Sequence, residues 1–239
     1  MPNDKLPTPE RVLVVAAHPD DIEFGAAGTV ARWIREGAEV CYLVVTRGDK
    51  GSEDPSADTA EIGRIRQREQ EEAAAEIGVA EVEFLDEPDG QVEATLRLRE
   101  RFTRAIRRHR PDIVMTHDPT VLFVNNEWVN HPDHRAVGQC AVDAVFPTAR
   151  DPLNFHEHLD AGLRPWKVGQ LFLWSTNEAN QLVDISDTLD AKVAALRCHA
   201  SQFRDFDGIE RWVRRRAEEL GERAGYRAAE GFRRVTLAR

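Results

Sequence analysis

The chain has 239 residues and a formal net charge of −10, with a sequence pI of about 5.3. That length can bury a full core in one α/β domain spanning residues 1–239, and so negative a surface repels phosphate backbones, which argues against a nucleic-acid partner. No apolar run approaches the ~20 residues of a membrane span, and the opening MPNDKLPTPE lacks the basic start and apolar centre of a signal peptide, so a soluble cytoplasmic protein without a membrane partner is expected.

Residues 11–17 are short, rich in Val and Leu and free of polar alternation, as in a central parallel strand buried on both faces. A helix follows over 23–36, with Val30, Trp33 and Ile34 on one face and Gly37 as its stop. Next come a strand at 39–46, a loop at 47–55 and a charged helix at 60–77 ended by Gly78. A strand at 82–85 leads to DEPDG (86–90), which is turn chemistry. The pattern continues with a helix at 92–109, a strand at 112–116 and a polar, aromatic loop at 117–130.

Pro132 opens a helix at 131–145, where a first-turn proline costs no hydrogen bond. Residues 146–167 hold Pro147, Pro152, Gly162 and Pro165 and read as irregular, a lid, binding loop or oligomer contact. Strands at 168–174 and 182–185 and helices at 187–200 and 209–224 complete the chain, with no repeat or second domain. Strand and helix alternate throughout, which predicts a three-layer α/β/α, Rossmann-like fold with a mostly parallel sheet. The Arg-rich pieces at 98–110 and 211–223 mix with Glu and apolar residues at helical spacing and read as solvated helix faces. Cys41, Cys140 and Cys198 form no CxxC pair, which fits a reducing compartment; the first two read as core residues.

Two clusters carry the chemistry. His18-Pro19-Asp20-Asp21 ends the first strand, and His131-Pro132-Asp133-His134 follows the fourth, so both fall on the rim of the sheet where open α/β folds bind ligands. Alone, either cluster also reads as a helix N-cap. Together they hold the imidazole and carboxylate donors of a catalytic zinc site, which uses three protein ligands and leaves one position open.

AHPDDIEFG (17–25) with HPDHRAVG (131–138) resembles the LmbE-like, or PIG-L, family of zinc-dependent amidohydrolases that remove acetyl groups from N-acetylglucosaminyl compounds. Supporting likenesses are Arg66 and Glu69 ahead of 73–79, Asp89-Gly90, KVAALRCHASQ (192–202) and 230–232. The resemblance implies zinc, with ferrous iron as the alternative occupant in vivo, held by His18, Asp21 and His134. It makes Asp20 the general base and His131 the oxyanion stabiliser or general acid. The physical logic agrees, since zinc lowers the pKa of bound water to about 7 and a nearby carboxylate can complete its deprotonation. His131 and His134 lie one helical turn apart and can face one cavity.

Asp133 is expected either to hold an imidazole in the correct tautomer, as a catalytic auxiliary, or to cap the helix that Pro132 opens. Arg66, Asp89 and Arg47 are candidate substrate contacts, with surface salt bridging as the plain alternative. His199 reads as a buried structural histidine, with approach to the site from the C-terminal side as the alternative, and His117 ranks below both clusters as a cavity-lining residue. Trp128, Phe123 and Trp166 are open between stacking on a sugar ring and packing under a loop. The implied substrate is a small amino sugar or its conjugate, with a thiol conjugate as runner-up, and the resemblance is compatible with a homo-oligomer.

Three other readings compete. Two histidines and a carboxylate also form the facial triad of non-haem iron oxygenases, whose expected scaffold is all-β. A nucleotide-binding module would need GxGxxG after the first strand, where this chain has two Asp that repel a pyrophosphate. A non-catalytic sugar-binding protein would have no need of five chemically competent positions.

Overall fold

The computed structural model describes residues 6–238. Its main sheet has seven strands in the order β3-β2-β1-β4-β7-β9-β8. These are β1 (Arg11–Ala16), β2 (Glu39–Thr46), β3 (Glu81–Glu87), β4 (Ile113–His117), β7 (Gln170–Trp174), β8 (Gln181–Asp184) and β9 (Ala229–Thr236). Strands β3, β2, β1, β4 and β7 are mutually parallel, and β9 runs antiparallel to both β7 and β8. The central place of β1 follows from its composition. Val12, Val14 and Ala16 pack into one buried cluster, while Leu13, Val15 and Ala17 pack into the other. A strand apolar on both faces must be covered on both.

Helices α1 (Asp21–Gly25), α2 (Ala27–Arg35), α3 (Thr59–Ile77), α4 (Leu96–His109), α5 (Pro132–Asp143), α6 (Leu189–Arg197) and α7 (Phe206–Glu222) supply that cover. Trp33 and Val30 of α2 with Ala73 and Ile77 of α3 close one face. Phe102 and Ile106 of α4 with Val137 and Cys140 of α5 close the other. The three-layer α/β/α fold is thus the observed one. The chain leaves β1 toward β2 and β3 on one side, and β4 and β7 lie on the other, so the strand order reverses beside the carboxyl end of β1. That crevice is where sheets of this kind place a ligand. Among the described residues, no helix is long and apolar enough to cross a membrane.

Several elements differ from expectation for physical reasons. The helix expected over 23–36 is broken at Ala26, whose φ is −148°. A Cβ on Gly25 would lie 2.7 Å from the buried Trp174 ring, so the chain passes tightly here. The new start of α2 has no side-chain cap of its own. Glu230 on β9 supplies one from across the fold, accepting from the N–H groups of Gly28 (3.0 Å) and Thr29 (2.7 Å). Lys192 neutralises that buried carboxylate at 2.5 Å and donates to the Phe24 carbonyl. Strand β9 itself was not expected, because AEGFRRVT carries two arginines and no apolar run. Residues 117–130 contain a small antiparallel hairpin, β5 (Phe123–Val124) with β6 (Trp128–Val129).

Residues 146–167 are irregular, as expected, and a buried arginine gathers their first half. Arg107, 1% exposed, donates to the carbonyls of Thr148, Ala149, Asp151, Asn154 and Phe155 at 2.8–3.3 Å. A planar guanidinium can serve all five acceptors, whereas an ammonium cannot. We therefore expect Arg107→Ala to cost about 3 kcal/mol in urea unfolding, since charge-assisted hydrogen bonds contribute roughly 1.5–3 kcal/mol each but are not additive. Arg107→Lys should recover less than half of that loss.

Candidate metal centre and active site

Strand β1 delivers His18 to the crevice, and a tight turn follows. The His18 N–H donates to Oδ2 of Asp21 at 2.7 Å, and Asp20 between them has φ +89°. A left-handed aspartate costs of order 1–3 kcal/mol, so the turn is held by its surroundings rather than preferred. The second cluster is set by α5. His131 is its N-cap, with Nδ1 accepting from the Asp133 N–H at 3.1 Å, and Pro132 occupies the first turn. The capping role open to Asp133 is therefore filled by His131.

These two pieces of chain meet. His18 Nδ1 lies 3.3 Å from His134 Nε2 and 3.4 Å from Asp21 Oδ2, and His134 Nε2 lies 3.0 Å from Asp21 Oδ1. Donors bound to one tetrahedral zinc at about 2.0–2.2 Å are separated by about 3.3–3.5 Å. The two imidazoles and the carboxylate, which turns Oδ2 to His18 and Oδ1 to His134, thus form a triangle close to the size that one divalent cation needs; it sits within two overlapping donor sets, His18-His131-His134 and Asp21-His117-His134, whose chemistry suits zinc or ferrous iron.

The other face of His18 is fixed just as firmly. Its Nε2 is 3.2 Å from Asp133 Oδ2 and 3.1 Å from Asp89 Oδ1. Asp133 is fully buried and also accepts from the N–H groups of Gly90 (2.7 Å) and Val92 (3.2 Å). Burial opposes charge on His18, but Asp133, Asp21 and Asp89 outweigh it and hold its pKa well above the ordinary value. Burial likewise opposes charge on Asp21, yet His134 and His117 hold that carboxyl well below its usual range.

His117, ranked low from sequence, belongs to this group. It ends β4, stacks on His134 with centroids 4.1 Å apart, and places Nε2 3.4 Å from Asp21 Oδ2. The indole N–H of Trp174 donates to its Nδ1 at 3.0 Å and the Ala17 N–H points at its Nε2 at 3.2 Å, so both ring nitrogens are engaged by N–H donors and the ring is held in one orientation. Burial, with His134 beside it, lowers its pKa to about 4 and favours the neutral ring. The signal in the sequence is a histidine ending an apolar strand, the same pattern that marks His18.

Asp20 stands next to the donor triangle. Arg66, nearly fully buried on α3, donates to its Oδ2 at 3.2 Å, to the Pro19 carbonyl at 2.7 Å and to the Gly48 carbonyl at 2.9 Å. Gly48 has φ +63°, and a Cβ there would lie 2.3 Å from the guanidinium, so only glycine admits this approach. Burial pushes the Asp20 carboxyl up to about 6 against the pull of Arg66. His131 packs edge-on to His18 at 4.7 Å between centroids, and its side chain is 42% exposed. Because Nδ1 accepts the helix-capping bond, the neutral ring carries its proton on Nε2. Burial and the neighbouring His18 lower its pKa and favour that neutral form.

The three candidate substrate contacts are engaged within the protein. Arg66 braces the Asp20 turn, Asp89 holds His18 and accepts from the Lys50 N–H at 2.9 Å, and Arg47 pairs with Asp86 at 2.6 Å on an exposed edge. His199 is buried against Glu23, as expected of a structural histidine. Trp166 donates to the Pro111 carbonyl and lies under Arg11 at the opposite end of β1, away from the crevice. Trp128 and Phe123 are exposed on the hairpin that leads into His131.

Residues 13–145 match the family described as GlcNAc-PI de-N-acetylase, PIG-L. Over 234 residues, 97% of this chain and 85% of the relative, the sequence is 33% identical to the diacetylchitobiose deacetylase of Thermococcus kodakarensis. It is 28% identical over 239 aligned residues, 80% of this chain and 74% of the relative, to a 1D-myo-inositol 2-acetamido-2-deoxy-alpha-D-glucopyranoside deacetylase of a Mycobacterium species. The N,N'-diacetylchitobiose deacetylase of Pyrococcus horikoshii superposes with a TM-score of 0.88 at 33% identity, covering 95% of this chain and 84% of that one. The chain belongs to the PIG-L, LmbE-like family and is a deacetylase, a hydrolase of amide bonds.

Proposed function

We propose that the protein removes the acetyl group from an N-acetylglucosaminyl saccharide of the diacetylchitobiose type, with zinc held by His18, Asp21 and His134. The observation that carries this reading is the donor triangle with Asp20 on one side and His131 on the other. The likeness to diacetylchitobiose deacetylases extends over nearly the whole chain and supports that substrate class over the inositol conjugate, where identity and coverage are both lower.

A divalent cation in the triangle would supply Lewis-acid chemistry, acidifying water and polarising the acetamide carbonyl. The chain's own residues do the rest. The Asp20 carboxylate takes a proton from the attacking water, while Arg66 keeps its oxygen in place. The water oxygen bonds to the carbonyl carbon, and charge builds on the carbonyl oxygen. His131 Nε2–H donates to that oxygen, an interaction that strengthens as the negative charge develops. Asp20 then passes the proton to the amine nitrogen as the C–N bond breaks, leaving acetate and the free amino sugar. Asp133 and Asp89 keep His18 in one tautomer.

The test is acetate release from N,N'-diacetylchitobiose and a panel of N-acetylglucosaminyl conjugates, with chelated and zinc-restored protein side by side. Chelated protein should be silent and zinc should restore turnover. His134→Ala should lose both metal and turnover. His131→Ala should keep the metal and lose about 10²–10³-fold in kcat, the usual effect of removing an oxyanion donor. Asp20→Asn should keep the metal and lose about 10²–10⁴-fold. A His131→Ala protein without metal, or an Asp20→Asn protein with full activity, contradicts the assignment.

A further inference from the structure

Behind the Asp20 turn lies a chain of polar side chains with no route to substrate. The Asp20 N–H donates to Oε1 of Gln70 at 3.1 Å, Nε2 of Gln70 donates to Oε1 of Glu23 at 3.0 Å, and His199 Nε2 donates to Oε2 of Glu23 at 3.1 Å. Gln70, Glu23 and His199 are all 0% exposed. Burying a carboxylate and an imidazole so completely is costly unless each is bonded, and a plain apolar contact would join α1, α3 and the segment after α6 more simply.

We infer that Gln70, Glu23 and His199 form a positioning relay that fixes the Asp20 backbone in its left-handed conformation and so aims the Asp20 carboxylate. The inference rests on Asp20 acting as the base. The direction of each bond follows from what its partner can offer. A backbone N–H can only donate, so the Gln70 oxygen must face Asp20 and its NH2 must face Glu23. A flipped amide would set NH2 against the Asp20 N–H and oxygen against the Glu23 carboxyl oxygen, so the two contacts together fix its orientation. The histidine N–H in turn holds the Glu23 carboxylate in that place. Ser201 is tied to Glu69 on the same face of α3, through N–H and Oγ at 2.7 Å each, and this locks the His199 segment against the helix that carries Gln70. Arg66, Glu69 and Gln70 thus share one buried helix face, with Arg66 gripping the Asp20 carboxylate and Gln70 gripping its backbone.

The test compares Gln70→Leu, Glu23→Gln, His199→Phe and His199→Gln with the wild type for kcat, KM, bound zinc and the crystallographic backbone of residue 20. Gln70→Leu should lower kcat by about 30–100-fold, as a misplaced catalytic group does, with KM within about twofold and one zinc per chain retained. Its Asp20 φ should leave the positive region. Glu23→Gln, whose amide no longer dictates the Gln70 orientation, should lower kcat by about tenfold and serves in place of Gln70→Leu if that protein does not fold. His199→Phe should lose about tenfold, and His199→Gln, which still offers an N–H to Glu23, no more than about threefold. Wild-type kcat in folded Gln70→Leu, loss of zinc in step with kcat, or an Asp20 φ still near +89° overturns the relay. If the wild type releases no acetate from any amino sugar, the functional reading fails, and the Asp20 φ in the variants still decides the relay.

Discussion

One imidazole is the junction on which the site depends. Nε2 of His18 faces the carboxylates of Asp89 and Asp133, and this leaves Nδ1 for His134 and Asp21. The two carboxylates are themselves anchored, Asp89 by the N–H of Lys50 and Asp133 by those of Gly90 and Val92. The loops that follow β1, β2, β3 and β4 are therefore tied together at a single ring. Freed from those carboxylates, the ring could rotate or change tautomer, and the donor triangle would lose a corner.

The scaffold keeps that junction where a ligand can reach it. Strand β1 is covered on both faces and hydrogen-bonded along both edges, to β2 on one side and β4 on the other, so its carboxyl end is a fixed point. The reversal of strand order beside it opens the crevice. Support on the far side comes from the C-terminal third, where Glu230 of β9 caps α2 and Lys192 of α6 neutralises it. The segments around 192–202 and 230–232 thus brace the helix that follows the Asp20–Asp21 turn. Arg107 does comparable work on the other face by gathering the carbonyls of 148–155.

What could be read in the sequence was what depends on local pattern. An apolar run ending in His-Pro-Asp-Asp, and a second His-Pro-Asp-His after a strand and loop, place both clusters on one rim, and the structure brings His18, Asp21 and His134 within 3.0–3.4 Å. The break at Ala26 was hidden, because the chain there packs tightly against the ring of Trp174, far along the sequence. Strand β9 was hidden too, since arginines at 233 and 234 leave it without a strand's apolar signature. Arg66 and Asp89 read as candidate substrate contacts, and the structure adds internal roles for both, since a strut and a clamp make the same demand on sequence, a charged residue near the site. Only coordinates distinguish a guanidinium turned toward its own backbone. His117 carried a usable signal in its place at the end of β4, but its partners, Trp174 and Asp21, are distant in sequence.

The proposed chemistry on this scaffold comes down to where one cation sits. The direct measurement is an anomalous difference map at the zinc edge from crystals of zinc-loaded protein. The account predicts a strong peak bonded to His18 Nδ1, the Asp21 carboxylate and His134 Nε2, with Asp20 and His131 beside it but not bonded. A peak held instead by Asp89 and Asp133 on the other side of the His18 ring, or by His131, would contradict it.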